Sequence, residues 1–148
     1  MTDPLTGYLR VKAVCVFSHR GRILAIDAFD PTKGQHFWVP IGGRVEFGET
    51  SRDAIAREVR EELSVEGRDL ELLGVLENIF RYDGADGHEI VFVYDGQLVE
   101  RSLYEQASVR GVEGNGEEFI AYWIDPMNPE RGWPLYPDGL RELMDRDE

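Results

Sequence analysis

The run of residues 43–65, GRVEFGETSRDAIAREVREELSV, constrains the fold more than any other part of this chain. Its second half has the composition and end signals of a helix from about Ser51 to Leu63, which Thr50 or Ser51 can cap. An apolar stripe at helical spacing, which can seat this helix on a hydrophobic core, consists of Ala54, Ile55 and Val59. The run therefore predicts one partly buried helix that is entered through a glycine-containing loop.

Three glutamates of this helix, Glu58, Glu61 and Glu62, fall within a single turn. Side chains three or four residues apart on a helix have Cβ atoms roughly 5–6 Å apart, so these carboxylates repel one another. Clustered oxygen ligands suit a hard divalent cation, Mg²⁺ above all or Mn²⁺. The alternative is a solvated charged face, because Arg57 has acidic neighbours at helical spacing.

The spacing of the glycine and the acidic residues resembles the signature box of the Nudix hydrolases, which cut diphosphate linkages in nucleoside diphosphate derivatives. Gly43 is followed after five residues by Glu49, and the segment 57–62 follows after seven more. The family's usual glycine near the end of the box is Ser64, which is expected to alter the exit from the helix at a modest cost. The customary Leu-Pro before the glycine pair is Pro40-Ile41. Neither departure removes a carboxylate, so the resemblance still implies activity.

The resemblance implies a role for each acidic residue of the box. The positions that hold divalent cations in the family are occupied here by Glu58, Glu61 and Glu62. Glu49 stands where the family has a supporting ligand, and a backbone carbonyl of Gly42 or Gly43 is expected to complete the metal site. Arg57 is expected to orient a neighbouring carboxylate rather than to react.

The carboxylate that accepts a proton from water lies in the box helix of some family members and on a later loop or strand of others. The resemblance therefore leaves Glu58 and, shortly before Trp123, Glu117 or Glu118 as candidates. An acidic residue that opens a strand, such as Glu118, is commonly just exposed. The catalytic residues predicted from the sequence are Glu58, Glu61, Glu62 and Glu118.

Downstream residues bear on the choice of substrate, and the predicted substrate contacts are Phe37, Tyr82 and His88. Tyr82 stands where a tyrosine is associated with dinucleoside polyphosphates in the family. Aromatic rings such as Phe37 can stack on a base, and His88 can bind phosphate. Core packing for the aromatic residues and simple surface exposure for His88 are the alternatives.

Three functions are compatible with these residues. The first is a Mg²⁺-dependent pyrophosphohydrolase acting on nucleoside di- or triphosphate derivatives, with dinucleoside polyphosphates as one variant. The second is a non-catalytic sensor of such ligands, which a degenerate box would favour. The third is a diphosphate isomerase on the same scaffold, for which Cys15 in an early strand is a poor candidate nucleophile.

Composition narrows the class of protein. A length of 148 residues predicts a single domain spanning residues 1–148, and the formal net charge of −13 argues against a nucleic-acid partner. The expected partner is a small-molecule nucleotide derivative. A single cysteine, no bilayer-spanning apolar stretch and the interruption of the first apolar run by Lys12 predict a cytoplasmic protein without a membrane partner. The sequence is also compatible with a homodimer.

The order of elements predicts the fold class. Strands are predicted at residues 9–18, 22–28, 37–39, 70–82, 89–94 and 118–124, with a turn at 83–87 and a final helix at 140–144. Several strands with one central and one terminal helix imply an α/β protein, an α/β/α sandwich with a mixed β-sheet. The same fold is implied by the resemblance to the Nudix hydrolases.

Overall fold

The computed structural model describes residues 7–146, and this part of the chain forms seven β-strands and two α-helices. They are β1 (Leu9–His19), β2 (Arg22–Asp30), β3 (Gln35–Arg44), α1 (Ser51–Leu63), β4 (Gly67–Tyr82), β5 (Ala85–Leu98), β6 (Ser108–Val112), β7 (Glu118–Ile124) and α2 (Leu140–Arg146). Short 3-10 turns connect some of them. No helix in this range is both long and apolar enough to cross a membrane.

The strands form one mixed sheet in the order β4-β5-β1-β3-β2-β7-β6. β1 runs parallel to β5, whereas the other pairs of neighbours are antiparallel. β1 occupies a central position because both of its faces are apolar. Its buried residues are Ala13, Val14, Cys15, Val16 and Phe17.

Helices cover both faces of this sheet. α1 buries its apolar stripe against one face of β1, which includes Cys15. α2 buries Leu140 and Leu143 in a second core on the other face, which includes Val14. The predicted α/β/α arrangement with a mixed sheet is therefore confirmed.

Three details of the sheet differ from the sequence prediction. β3 is longer than the predicted segment 37–39 and continues through Gly42 and Gly43, which the sequence favoured as loop. β6 was missed because it is short and contains Gly111, and glycine is depleted in strands. The turn between β4 and β5 is shorter than predicted, because β5 already begins at Ala85.

β3 divides its pairing between two neighbours. Residues 35–40 pair with β2, and residues 41–44 pair with β1. Residues 35–40 have a second edge, which faces away from β2. Segment 134–136 binds this edge through hydrogen bonds of 2.8 and 2.9 Å. Among residues 7–146, no strand pairs with residues 41–44 on the edge that faces away from β1. There the Gly42 N–H and the Arg44 carbonyl bind side chains of α1 instead. We call this edge of residues 41–44 the open edge of β3.

Cys15 is fully buried beneath α1. Burial raises the pKa of its thiol well above the ordinary 9.0, and the charge of Asp95 adds to the shift. We expect a thiolate-directed reagent to leave the folded chain unlabelled at pH 8 and to label one thiol after denaturation, as measured by absorbance. The pKa of this thiol is higher in the folded chain than in the unfolded chain. The contribution of Cys15 to the free energy of unfolding is therefore complete below pH 9 and is lost as the pH rises above it. Rapid labelling of the folded chain would contradict this expectation.

Candidate active site

Helix α1 begins and ends as its sequence predicts. The Thr50 hydroxyl accepts a hydrogen bond from the Asp53 N–H at 3.1 Å. Ser64 follows the last turn with φ 58° and ψ 29°, and its N–H donates to the Arg60 carbonyl at 3.0 Å. Ser64 thus adopts the left-handed conformation that glycine adopts more readily, at a cost of about 1 kcal/mol. The helix therefore ends on a left-handed residue despite the departure from the family pattern.

Arg57 joins the loop before α1 to the acidic face of the helix. Its Nε and Nη2 donate to the two carboxylate oxygens of Glu49 at 2.8 and 3.0 Å. Its Nη1 donates to Glu58 at 3.0 Å and to Glu61 at 3.1 Å. The hydrogen bonds from Arg57, followed by one from the Glu46 N–H, lower the pKa of Glu49 to about 2. Arg57 therefore positions three carboxylates of the box at once.

We expect Arg57→Met to lower the free energy of unfolding by about 2–3 kcal/mol, because it leaves Glu49, Glu58 and Glu61 without their shared donor. Denaturant unfolding at pH 7 and low ionic strength, followed by circular dichroism, measures the change. Arg60→Met is the matched control, since Arg60 pairs at 3.4 Å with the exposed Glu66 and contributes little. Equal losses in the two variants would show that the Arg57 network does not stabilise the fold.

The glycine pair allows α1 to lie directly against β3. A Cβ atom at Gly43 would be 2.5 Å from the carboxyl carbon of Glu58 and 2.6 and 2.7 Å from its two oxygens. Gly42 has a φ of 153°, and a Cβ atom there would be 2.2 Å from the Ala13 carbonyl oxygen. The Gly42 N–H donates to Oε1 of Glu62 at 3.2 Å. Glu58 and Glu62 are therefore held against the backbone at the open edge of β3.

Glu62 is almost completely buried, with only 4% of the residue exposed. Burial raises the pKa of its carboxyl well above the ordinary value, and the charges of Glu113 and Glu58 raise it further. Burial raises the pKa of Glu58 as well, against the opposing charge of Arg57. Clustered acids with raised pKa values are typical of functional sites.

Glu113, in the segment after β6, is the member of this cluster that the sequence analysis missed. The sequence analysis selected Glu118 instead, and the structure does not bring Glu118 to the cluster. Glu118 opens β7, where its neighbour Phe119 packs into the core beneath α1. Because successive side chains of a strand point to opposite faces, Glu118 points away from α1 and lines a shallow cavity beside Asp27.

The predicted substrate contacts lie in two separate places. The rings of Phe37 and Tyr82 meet edge to face with centroids 6.1 Å apart, and Phe37 meets Tyr136 in the same way at 5.5 Å. The Tyr82 hydroxyl donates to a backbone carbonyl of β2 at 3.2 Å, so this residue has a structural role. His88 lies on β5, where its Nε2 is 3.1 Å from the Glu77 carboxylate across the pair of strands.

The cluster around Glu62 offers carboxylate and backbone carbonyl oxygens, the ligands that Mg²⁺ prefers. Within residues 7–146, no three acidic, histidine or cysteine side chains are already gathered around one point as a bound metal requires. Arg57 donates hydrogen bonds to Glu58 and Glu61, and the raised pKa of the buried Glu62 carboxyl favours its protonated form. A divalent cation would fit this set of ligands once it displaces the proton of Glu62 and the contacts of Arg57.

Comparison with known proteins places the chain in a family. A model described as the NUDIX domain matches residues 8–143. A MutT NUDIX hydrolase from Burkholderia pseudomallei is similar in structure, with a TM-score of 0.66 and 23% identity over 95% of this chain and 99% of that chain. A NUDIX hydrolase from Nitrosomonas europaea gives 0.62 and 16% over 93% and 87%, and the MutT protein from Methanosarcina mazei Go1 gives 0.57 and 20% over 96% and 94%. No curated protein matches the chain significantly.

The chain belongs to the NUDIX family, because the family model covers nearly its whole length. It is a hydrolase of phosphorus-containing anhydrides, and enzymes of this family generally use divalent metal ions. The solved structures, all below 25% identity, show that the fold is shared. The predicted resemblance and the predicted Nudix fold are both confirmed.

Proposed function

We propose that this protein is a Mg²⁺-dependent pyrophosphohydrolase that cleaves the diphosphate linkage of a nucleoside di- or triphosphate derivative by attack of water on phosphorus. The observation that carries the proposal is the meeting of Glu58, Glu62 and Glu113 beside the backbone of Gly42 and Gly43. The three carboxylates meet at the open edge of β3, with which no strand among residues 7–146 pairs.

The residues that would hold Mg²⁺, or Mn²⁺ in its place, are Glu58, Glu61, Glu62 and the carbonyl of Gly43. Such a cation supplies neutralisation of phosphoryl oxygens and a lower pKa for bound water. Both carboxylate oxygens of Glu49 are engaged by Arg57, so we assign Glu49 to the positioning of Arg57 and, through it, of Glu58 and Glu61. This is a more indirect role than the supporting ligand that the resemblance implied.

We assign the acceptance of the water's proton to Glu113. It reaches the cluster from a separate segment, and its negative charge acts on both Glu58 and Glu62. None of the hydrogen bonds of Arg57 goes to Glu113. Glu113 thus takes the place that the sequence analysis gave to Glu118.

The substrate is proposed only as a class, a small nucleotide derivative. The case for dinucleoside polyphosphates depended on Tyr82, whose hydroxyl is engaged by a backbone carbonyl, so no contact favours that variant. The non-catalytic sensor is not favoured either, because every acidic residue expected in the box is present. The single cysteine supports a cytoplasmic enzyme, and the net charge of −13 supports one that does not bind nucleic acid.

The experiment that tests this function is a screen of nucleoside triphosphates, nucleotide sugars and dinucleoside polyphosphates, each with Mg²⁺, with Mn²⁺ and with a chelator. Released phosphate and pyrophosphate are the readouts. We expect at least one class of compound to be cleaved with either cation and none with the chelator. Cleavage that survives chelation would exclude the proposed metal dependence, and binding without cleavage of any compound would favour the sensor.

A further inference from the structure

Arg10, Lys12 and Glu89 form a cluster of charged side chains on the sheet face opposite α1. Lys12 precedes Val14 by two residues and Glu89 precedes Val91 by two, and both valines belong to the core beneath α2. The Glu89 side chain is only 8% exposed, and its Oε2 lies 3.7 Å from Nζ of Lys12 and 4.0 Å from Nε of Arg10. Two cations therefore surround one buried carboxylate.

This cluster adjoins the open edge of β3. Lys12 is paired in register with Arg44, the last residue of β3. Neighbouring strands are about 4.8 Å apart, so Lys12 is one strand away from the edge that binds the side chains of α1. α1 covers the other face of that edge, where the Glu58 carboxyl lies against Gly43. Lys12 and the carboxylates therefore lie on opposite faces of the sheet beside the same edge, and a ligand that reaches round this edge can contact both.

We propose that Lys12 binds a phosphoryl group of the substrate, next to the phosphorus atom that water attacks. The inference rests on the proposed function and extends it to how the substrate is held. The buried carboxylate of Glu89 positions the side chains of Arg10 and Lys12.

Charge and contact distance both support this role for Lys12. A chain with a net charge of −13 repels a polyanion, and it has only two lysines, Lys12 and Lys33. The 3.7 Å between Lys12 and Glu89 exceeds the roughly 2.7–2.9 Å of a charge-assisted hydrogen bond. The Lys12 ammonium can therefore approach an anion without breaking a short hydrogen bond to Glu89. With 32% of its side chain exposed, Lys12 is also accessible from solvent.

The test measures binding of methylenediphosphonate, a diphosphate analogue that water does not cleave, to the full chain with Mg²⁺ by titration calorimetry. We expect Lys12→Gln to weaken binding about tenfold and to make it less dependent on salt, whereas Lys12→Arg retains most of the affinity. Lys33→Gln is the matched control, because it removes the same charge from the exposed loop between β2 and β3. It is expected to bind like the parental chain. With a nucleotide substrate, Lys12→Gln is expected to raise KM and leave kcat nearly unchanged.

Unchanged affinity in Lys12→Gln would overturn the proposal, and so would an equal loss in Lys33→Gln. A parental chain that does not bind the diphosphonate would overturn it as well. Because the probe is not hydrolysed, the result is independent of turnover. If Lys12→Gln alone weakens binding but the parental chain cleaves no nucleotide, the phosphate site stands and the proposed hydrolysis fails.

Discussion

Glu62→Gln is expected to lower kcat at least about a hundredfold while making the folded chain more stable at neutral pH. Glutamine keeps the shape of the side chain, and its amide oxygen can still accept the Gly42 N–H. It loses the charge that a divalent cation needs. The stability effect follows from the raised pKa of the buried Glu62 carboxyl. That group stabilises the fold fully only below its ordinary value of 4.5, and the contribution is lost as the pH rises.

Two measurements separate these effects. Steady-state kinetics gives kcat, and denaturant unfolding without metal, at pH 5 and pH 8, gives the free energy of unfolding. At pH 8 we expect Glu62→Gln to gain on the order of 1 kcal/mol over the parental chain, and less at pH 5. Glu66→Gln, which alters an exposed glutamate beyond the helix, is the control and should change neither quantity. A Glu62→Gln variant that lost activity and stability together would indicate a structural role.

Glu113→Gln is expected to lower kcat by about two orders of magnitude, whereas Glu118→Gln is expected to stay within about twofold of the parental rate. The structure gives the reason, since the charge of Glu113 acts on Glu58 and Glu62 while Glu118 points away from α1. Both substitutions remove one negative charge from the same part of the chain, so each serves as the control for the other. The measurement is the rate of phosphate or pyrophosphate release at saturating substrate and Mg²⁺.

The opposite ranking would restore the assignment made from the sequence. If Glu118→Gln were the inactive variant, the face of β7 that carries Glu118 would have to contact the substrate. Equal activity of both variants would place the proton acceptor within α1, where Glu58 is the remaining candidate. Circular dichroism on each variant shows whether a low rate reflects misfolding.

Helix α1 could be predicted in detail because its signals are local. The capping residue Thr50, the apolar stripe and the acidic turn all lie within the box, and the observed helix has the predicted bounds Ser51–Leu63. The positions of Glu58 and Glu62 follow from the helix once its apolar stripe is seated on the sheet. The residue spacing within the box was therefore sufficient to predict the part of the site that lies on α1.

The course of β3 could not be predicted because it depends on contacts from elsewhere in the chain. Gly42 and Gly43 are poor strand residues, and sequence patterns treat them as loop. In the structure the strand continues, since β1 pairs with one edge while Glu62 and Arg57 bind the other. These side chains come from a later element, which local periodicity does not detect.

Glu113 was missed for a related reason. Three glutamates, Glu113, Glu117 and Glu118, stand close together in a glycine-rich segment. Only the register of β6 against β7 decides which of them faces α1. The alternation of Val109, Gly111 and Glu113 carries that information, because Val109 belongs to the core beneath α1. Recognition of β6 as a strand would have made this alternation usable.

The division of β3 between β2 and β1 separates two tasks along one strand. Residues 41–44 bring the glycine backbone to the acidic side chains, whereas residues 35–40 carry Phe37 and the contacts with segment 134–136. Under the proposed function, the acidic site lies beside residues 41–44, and the predicted substrate contact Phe37 lies on residues 35–40. We therefore expect substitutions around residues 35–40 to change which substrate is accepted while the carboxylates beside residues 41–44 stay in place.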